Sequence, residues 1–198
     1  NSFEMKELNT FNFYGQCPNP YLDAGWLISH YGYADYRIVQ VQGGFAKKIF
    51  SELSAGINLR YFYENSFLAE KVNYAWNADV GLCYQPNETF VFSLLAEQIL
   101  HTFPEDRWKI HAGLGYQATG QCWLAAEIFY DAEHQFNLSL GIEYEIIESL
   151  QVQLGIQTST QMPSLGVAYR LNKWDIATGF AMHPTLGISS MVSMSYQF

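Results

Sequence analysis

Fourteen consecutive residues, 72 to 85, alternate without a slip. Val72, Tyr74, Trp76, Ala78, Val80, Leu82 and Tyr84 share one face of an extended chain, and Asn73, Ala75, Asn77, Asp79, Gly81, Cys83 and Gln85 share the other. A helix would scatter both sets around its axis, so the stretch is a strand with one apolar face and one small or polar face. Phe136, Leu138, Leu140, Ile142, Tyr144 and Ile146 repeat the pattern against Asn137, Ser139, Gly141, Glu143 and Glu145, and Leu150, Val152, Leu154 and Ile156 repeat it against Gln151, Gln153, Gly155 and Gln157. The last eleven residues do so again, with Ile188, Val192, Met194, Tyr196 and Phe198 on one face and Ser189, Ser193, Ser195 and Gln197 on the other. In all, about twelve such runs follow Tyr21, near 22–32, 35–47, 53–64, 72–85, 90–100, 107–118, 122–131, 136–147, 150–159, 164–172, 174–183 and 188–198. Each is about ten residues long, the length a tilted strand needs to cross the apolar part of a bilayer. Aromatic residues stand at the ends of the aliphatic centres (Trp108, Tyr116, Tyr144, Tyr169, Trp174), where interfacial girdles belong. The pattern predicts an all-β, transmembrane, antiparallel up-and-down barrel, with lipid on the apolar face and a lumen on the other.

Composition narrows the alternatives. The 198 residues make one domain; only 15% are charged and 17% are aromatic, with a mean hydropathy of -0.07. No run approaches the ~18 apolar residues of a membrane helix, so the apolar content is spread by alternation. A net charge of -9 and a pI near 4.9 exclude a nucleic-acid partner, because no basic stripe exists to release counterions. The opening N-S-F-E-M-K-E-L has no charged n-region or apolar h-region and reads as a mature chain whose signal peptide has been removed. Cys17, Cys83 and Cys122 lack the spacing of a zinc site or a disulfide framework, although a Cys17 to Cys83 bridge would tie the N-terminal segment to the wall.

Residues 1–20 read as an irregular N-terminal segment, periplasmic or inside the lumen, ending on the breaker Cys17-Pro18-Asn19-Pro20; residues 21–198 read as the barrel. Short turns are expected at Lys48 to Glu52, Gln85 to Thr89, Thr119 to Gln121, Glu148-Ser149 and Asn172-Lys173 on one side. Short connections at 33–34, 65–71, 101–106, 132–135, 160–163 and 184–187 are expected on the other. An even strand count leaves both termini periplasmic in a bacterial outer membrane. Glycines recur on the lumen face (Gly56, Gly81, Gly113, Gly115, Gly141, Gly155, Gly166, Gly179). Residues 1–16, with Phe3, Leu8, Phe11, Phe13 and Tyr14, are expected to fold up against this belt as a plug, or else residues 8–16 add a strand or dock in the periplasm.

A terminal Phe198 with Tyr196 before it resembles the closing strand of bacterial outer-membrane barrels. The runs G-I-E-Y-E-I-I-E-S-L-Q-V-Q-L-G-I (141–156), S-L-G-V-A-Y-R-L (164–171), W-D-I-A-T-G-F-A-M-H-P-T-L-G (174–187) and S-Y-Q-F are similar to the last four strands of FadL-like barrels, closest to those related to PorV of Bacteroidota type IX secretion. The resemblance implies an outer-membrane protein that moves hydrophobic compounds or partners a secretion machinery, and about fourteen strands with an N-terminal hatch as the alternative architecture.

Charge on the lumen face is the remaining signal. Arg60, Asp79, Glu97, Lys109, His111, Glu127, Glu143, Glu145, Arg170 and Asp175, with Glu64 and Asp131, are its candidates for a charge-selective pore or for a salt-bridged filling. Arg60, Glu64, Glu97, Lys109, His111 and Asp131 belong to an outer layer, and Glu127, Glu143, Glu145, Arg170 and Asp175 to a periplasmic one. His30, His101, His134 and His183 gather at the outer rim without a metal-ligand spacing, and no cofactor or metal is expected. A hydrolase would need Ser189 or Ser190 aligned with His183. Three readings follow, in order: a non-enzymatic structural or accessory subunit of an envelope transport, secretion or assembly complex, a channel for hydrophobic or small solutes, and a membrane hydrolase. Outer-membrane lipid and lipopolysaccharide are the expected surroundings, and outer-membrane or periplasmic proteins the expected partners.

Overall fold

The computed structural model describes residues 9–19, 21–33, 36–66, 73–102, 107–131, 136–158, 161–185 and 187–197. They form one sheet of thirteen strands in sequence order: β1 (Thr10–Cys17), β2 (Asp23–Tyr33), β3 (Tyr36–Lys48), β4 (Leu53–Ser66), β5 (Asn73–Tyr84), β6 (Phe90–His101), β7 (Lys109–Thr119), β8 (Cys122–Asp131), β9 (Phe136–Ile147), β10 (Leu150–Gln157), β11 (Met162–Leu171), β12 (Trp174–His183) and β13 (Gly187–Tyr196). Every neighbouring pair is antiparallel. The up-and-down order needs only short hairpin connections, which is what the turn-rich breaks between runs allow.

Two-residue alternation becomes a difference in exposure. Along β9 each apolar residue from Phe136 to Ile146 is exposed, and each residue between them is half-buried. β7 repeats this, with Ile110, Leu114 and Tyr116 outward and Lys109, His111, Gly113 and Gly115 inward. Among the described residues only Ala75, Asn77 and Asp79 are buried, all on the inner face of β5. The usual arrangement of a water-soluble protein is therefore inverted: apolar side chains cover the outside and polar or small ones line the inside.

The five turns that follow β3, β5, β7, β9 and β11 gather at one end of the sheet. Their carbonyls or flanking residues accept from the next strand: Gln85 N–H donates to Glu52 O at 2.7 Å, Gln117 to Thr89 at 2.8 Å, Glu145 to Gln121 at 2.8 Å, Arg170 to Ser149 at 2.8 Å and Gln197 to Lys173 at 2.9 Å. These are the turns expected from the sequence. The connections at the opposite end, the N-terminal residues 1–8, His134 and Phe198 lie wholly or partly outside the described residues.

The structure corrects several expectations. Residues 10–17 are not irregular. They form β1, in register with β2 through Phe11–His30, Phe13–Ile28 and Gly15–Trp26 on the outer face. The described residues thus hold thirteen strands, between the twelve expected and the alternative of fourteen, and residues 10–16 belong to the wall, as the alternative of an added strand over residues 8–16 had it, instead of forming a plug. Pro18 follows the end of β1, and Asn19 caps the bend by donating its N–H to Asp23 Oδ1 at 3.0 Å while its Oδ1 accepts from Tyr21 N–H at 3.0 Å. An odd count makes β1 and β13 run in the same direction, so Thr10 and Tyr196 sit at opposite ends of the sheet. The shared side expected for both chain ends does not hold for these residues. No pairing joins β1 to β13 among the described residues. Cys17, Cys83 and Cys122 are free. Cys17 faces outward and Cys83 inward, with four strand spacings (~19 Å) between their strands along the sheet, so a bridge cannot form.

Candidate functional site: the inner face of the sheet

Strands β4 to β8 carry a chain of charged side chains at one level of the inner face. Asp79, on β5 and 4% exposed, is its centre. Its carboxylate pairs with Arg60 Nη2, accepts from Asn58 Nδ2 at 2.9 Å and accepts the backbone N–H of Gln98 at 3.0 Å. Three donors meet the desolvation cost of burying this anion. The third exists because β6 bulges: Ala78 pairs with Leu100 and Val80 with Ala96, so three residues of β6 stand opposite Asp79. Gln98 takes a left-handed φ of 56° there, unusual for a residue with a Cβ, and the Asp79 carboxylate holds its N–H.

The bulge directs Glu97 toward its neighbours. Its Oε1 lies 3.8 Å from Arg60 Nη2, and its Oε2 lies 3.6 Å from His111 Nε2. The chain ends where His111 Nδ1 meets Glu127 Oε1 at 3.3 Å. His111 also stacks on Phe129, with centroids 4.7 Å apart, and the Lys109 ammonium lies 5.9 Å from the centre of the same ring. Glu127 was expected in the periplasmic layer. The register Gly113–Glu127 sets it one step from His111 and joins it to the outer group.

The other inner-face charges form separate pairs. Glu143 accepts from Gln153 Nε2 at 2.7 Å. Arg170 Nε donates to Asp175 Oδ1 at 2.8 Å, directly across the β11–β12 register, and Gln197 Nε2 donates to Asp175 Oδ2 at 3.1 Å. Glu145 also acts on Arg170 electrostatically.

From β7 to β13 the inner wall has a different character. Gly115, Ala125, Gly141, Gly155, Ser164, Ala181 and Ser189 are consecutive register partners, a row across seven strands with nothing larger than serine. The close approach is real at Gly115, where an added Cβ would come within 2.5 Å of the Trp123 ring. Beside the row lies a cavity of about 540 Å³, also touched by Trp123, Glu143, Gly166 and Gly179. A second, of about 920 Å³, lies over the β1 to β6 side, where Gly25, Gly44, Gly56 and Gly81 make room between Asn58, Arg60 and Asp79. The glycine belt therefore opens space along the wall.

The structure brings Arg60, Asp79, Glu97, His111 and Glu127 together, and Arg170 with Asp175 and Glu145; Lys109 and Glu143 stand beside these groups. Asn58, Gln98 and Gln153 belong to the site and were missed. For Gln98 a trace exists in the sequence, since the adjacent polar residues Glu97-Gln98 break the alternation of that run. The rim histidines do not converge: His30 is register partner to Phe11 and Val39 on the outer face, His101 Nδ1 lies 3.0 Å from Gln98 O, and His183 Nδ1 accepts from Thr185 N–H at 3.2 Å. Ser190, the partner of Phe180, turns outward and away from His183.

Such a sheet, apolar outside and polar within, defines the class of antiparallel outer-membrane β-barrels. A mutant of the TodX monoaromatic hydrocarbon channel superposes with a TM-score of 0.63 at 12% identity, covering 96% of this chain and 83% of that one. A mutant porin of Rh. blastica superposes with a TM-score of 0.54 at 7% identity, covering 96% and 89%. Similarity at this identity is similarity of fold. No protein-family model matches the chain, and no curated protein matches it in sequence.

Proposed function

We propose that this protein spans the bacterial outer membrane as a non-enzymatic barrel and gives small solutes a passive route across it. The observation that carries the reading is the hollow inner face, with cavities of about 920 and 540 Å³ beside a wall row without large side chains. A barrel whose interior served only as packing would fill that row, since empty space beside side chains forfeits their contacts. The outer apolar face, flanked by aromatic pairs such as Trp108–Tyr130 and Trp174–Tyr196, suits lipid and, in the outer leaflet, lipopolysaccharide. Reconstitution of the purified protein in planar lipid bilayers tests the reading: discrete conductance steps support it, and a silent membrane containing folded protein overturns it. The hydrophobic-compound transport implied by the FadL-like resemblance is a narrower form of the same proposal, tested by uptake of an aromatic hydrocarbon into liposomes.

A second reading, the accessory subunit of an envelope complex, is favoured by one feature: among the described residues the edges of β1 and β13 are not paired with each other. Strand edges recruit other strands. Cross-linking in native membranes followed by purification tests it, and recovery of this chain alone would sink it.

A further inference from the structure

The inner face is not neutral, and its charges are not evenly matched. On the β4 to β8 side, Arg60 and Lys109 stand against Glu64, Asp79, Glu97, Glu127 and Asp131; on the β9 to β13 side Arg170 stands alone against Glu143, Glu145 and Asp175. Among the described residues three fixed cations face eight carboxylates, and Lys48 and Asp23 at the strand ends cancel. More than half of the chain's net charge of -9 is thus gathered on this one surface.

The cations are also the less available partners. Arg60 is engaged by Asp79 and Glu97 and its side chain is 15% exposed, Lys109 lies over the Phe129 ring, and Arg170 is held by Asp175. Glu127, by contrast, keeps 48% of its side chain exposed beside His111, and Glu143 lines the 540 Å³ cavity with a neutral amide as its hydrogen-bond donor. In a narrow passage with low-dielectric walls such an excess raises the local concentration of the opposite charge. The small-residue row runs past Glu143, whose register partners Trp123 and Gln153 are both neutral. We infer that the passage selects for cations: small inorganic cations and solutes bearing an ammonium or guanidinium group pass in preference to carboxylates, phosphates and halides. This rests on the channel reading given above.

The test uses the full chain in planar bilayers under a KCl gradient. The reversal potential should report a potassium-over-chloride permeability ratio on the order of 10. Glu143→Gln with Glu145→Gln, two changes that leave the Asp79 group untouched, should bring the ratio down several-fold, and Glu143→Lys with Glu145→Lys should bring it near or below unity. Open channels with a ratio of one, or with a chloride preference in the unaltered protein, overturn the inference and leave the channel reading standing. A folded but silent protein overturns the channel reading instead. The charge of the lumen is then read separately from Trp123, which lies on the inner wall opposite Glu143. The fluorescence component lost in Trp123→Phe should be quenched several-fold better by caesium than by iodide, and equal quenching or an iodide preference would refute the cation-attracting interior.

Discussion

From β4 to β8 the inner wall is built of side chains that grip one another, Asn58, Arg60, Asp79, Glu97, His111 and Glu127 in one continuous chain across five strands. From β9 to β13 the same face carries glycine, alanine and serine, and its few charges form isolated pairs. Both walls keep polar or small groups inward. The first does so by satisfying charges with each other, which fixes the strands in register; the second leaves the backbone bare, which makes space. A barrel that must be both rigid and hollow can divide the two tasks around its circumference. The stiff wall is also where the buried residues lie among those described.

The sharpest way to break this contrast is Asp79→Ala. It leaves Arg60, Asn58 Nδ2 and the Gln98 N–H without their shared acceptor, and we expect a loss of about 3 to 5 kcal/mol in denaturant unfolding of the reconstituted protein. If the change is tolerated, the charged wall is not the stiff one. Next comes Leu140→Arg on the outer face of β9, expected to cost about 2 to 4 kcal/mol in a bilayer, with Gln153→Arg on the inner face costing clearly less; equal costs would mean that lipid does not cover the outer face. Gly115→Ala must displace the Trp123 ring and should cost about 1 to 3 kcal/mol. Gly141→Leu sharpens the comparison from the other side: an added Cβ there meets only ordinary contacts, at 3.7 Å or more. Its stability change should stay below about 1 kcal/mol while single-channel conductance falls. The smallest effect is expected from Arg170→Ala, whose side chain is 57% exposed: an unchanged unfolding midpoint, against the collapse expected from losing Asp79.

Strand positions and faces were legible because a period of two survives any amount of sequence drift in a wall wetted on one side only. β1 was legible only as the alternative to a plug, and for a definite reason. Its outer face has Gly15 where an apolar residue belongs, because the Trp26 ring fills that place, and its inner face has Tyr14 where a small one belongs. Over so short a run, two exceptions erase the pattern. The members of the charged chain were legible as inward-facing residues, but their partners were not. Alternation fixes the face of a residue and says nothing of its height relative to the next strand. That height depends on turn lengths and on the β6 bulge, whose left-handed Gln98 is stabilised from a different strand by Asp79.

The inverted exposure has a consequence for the life of the chain before it reaches a bilayer. Phe11, Phe13, Phe136 and Val192 are each more than two-thirds exposed in the finished fold, so folding in water would hide little of what water rejects. The chain has no soluble native state to wait in. In water such a sheet would leave its outer face unsatisfied, and it assembles stably where lipid is present to receive that face.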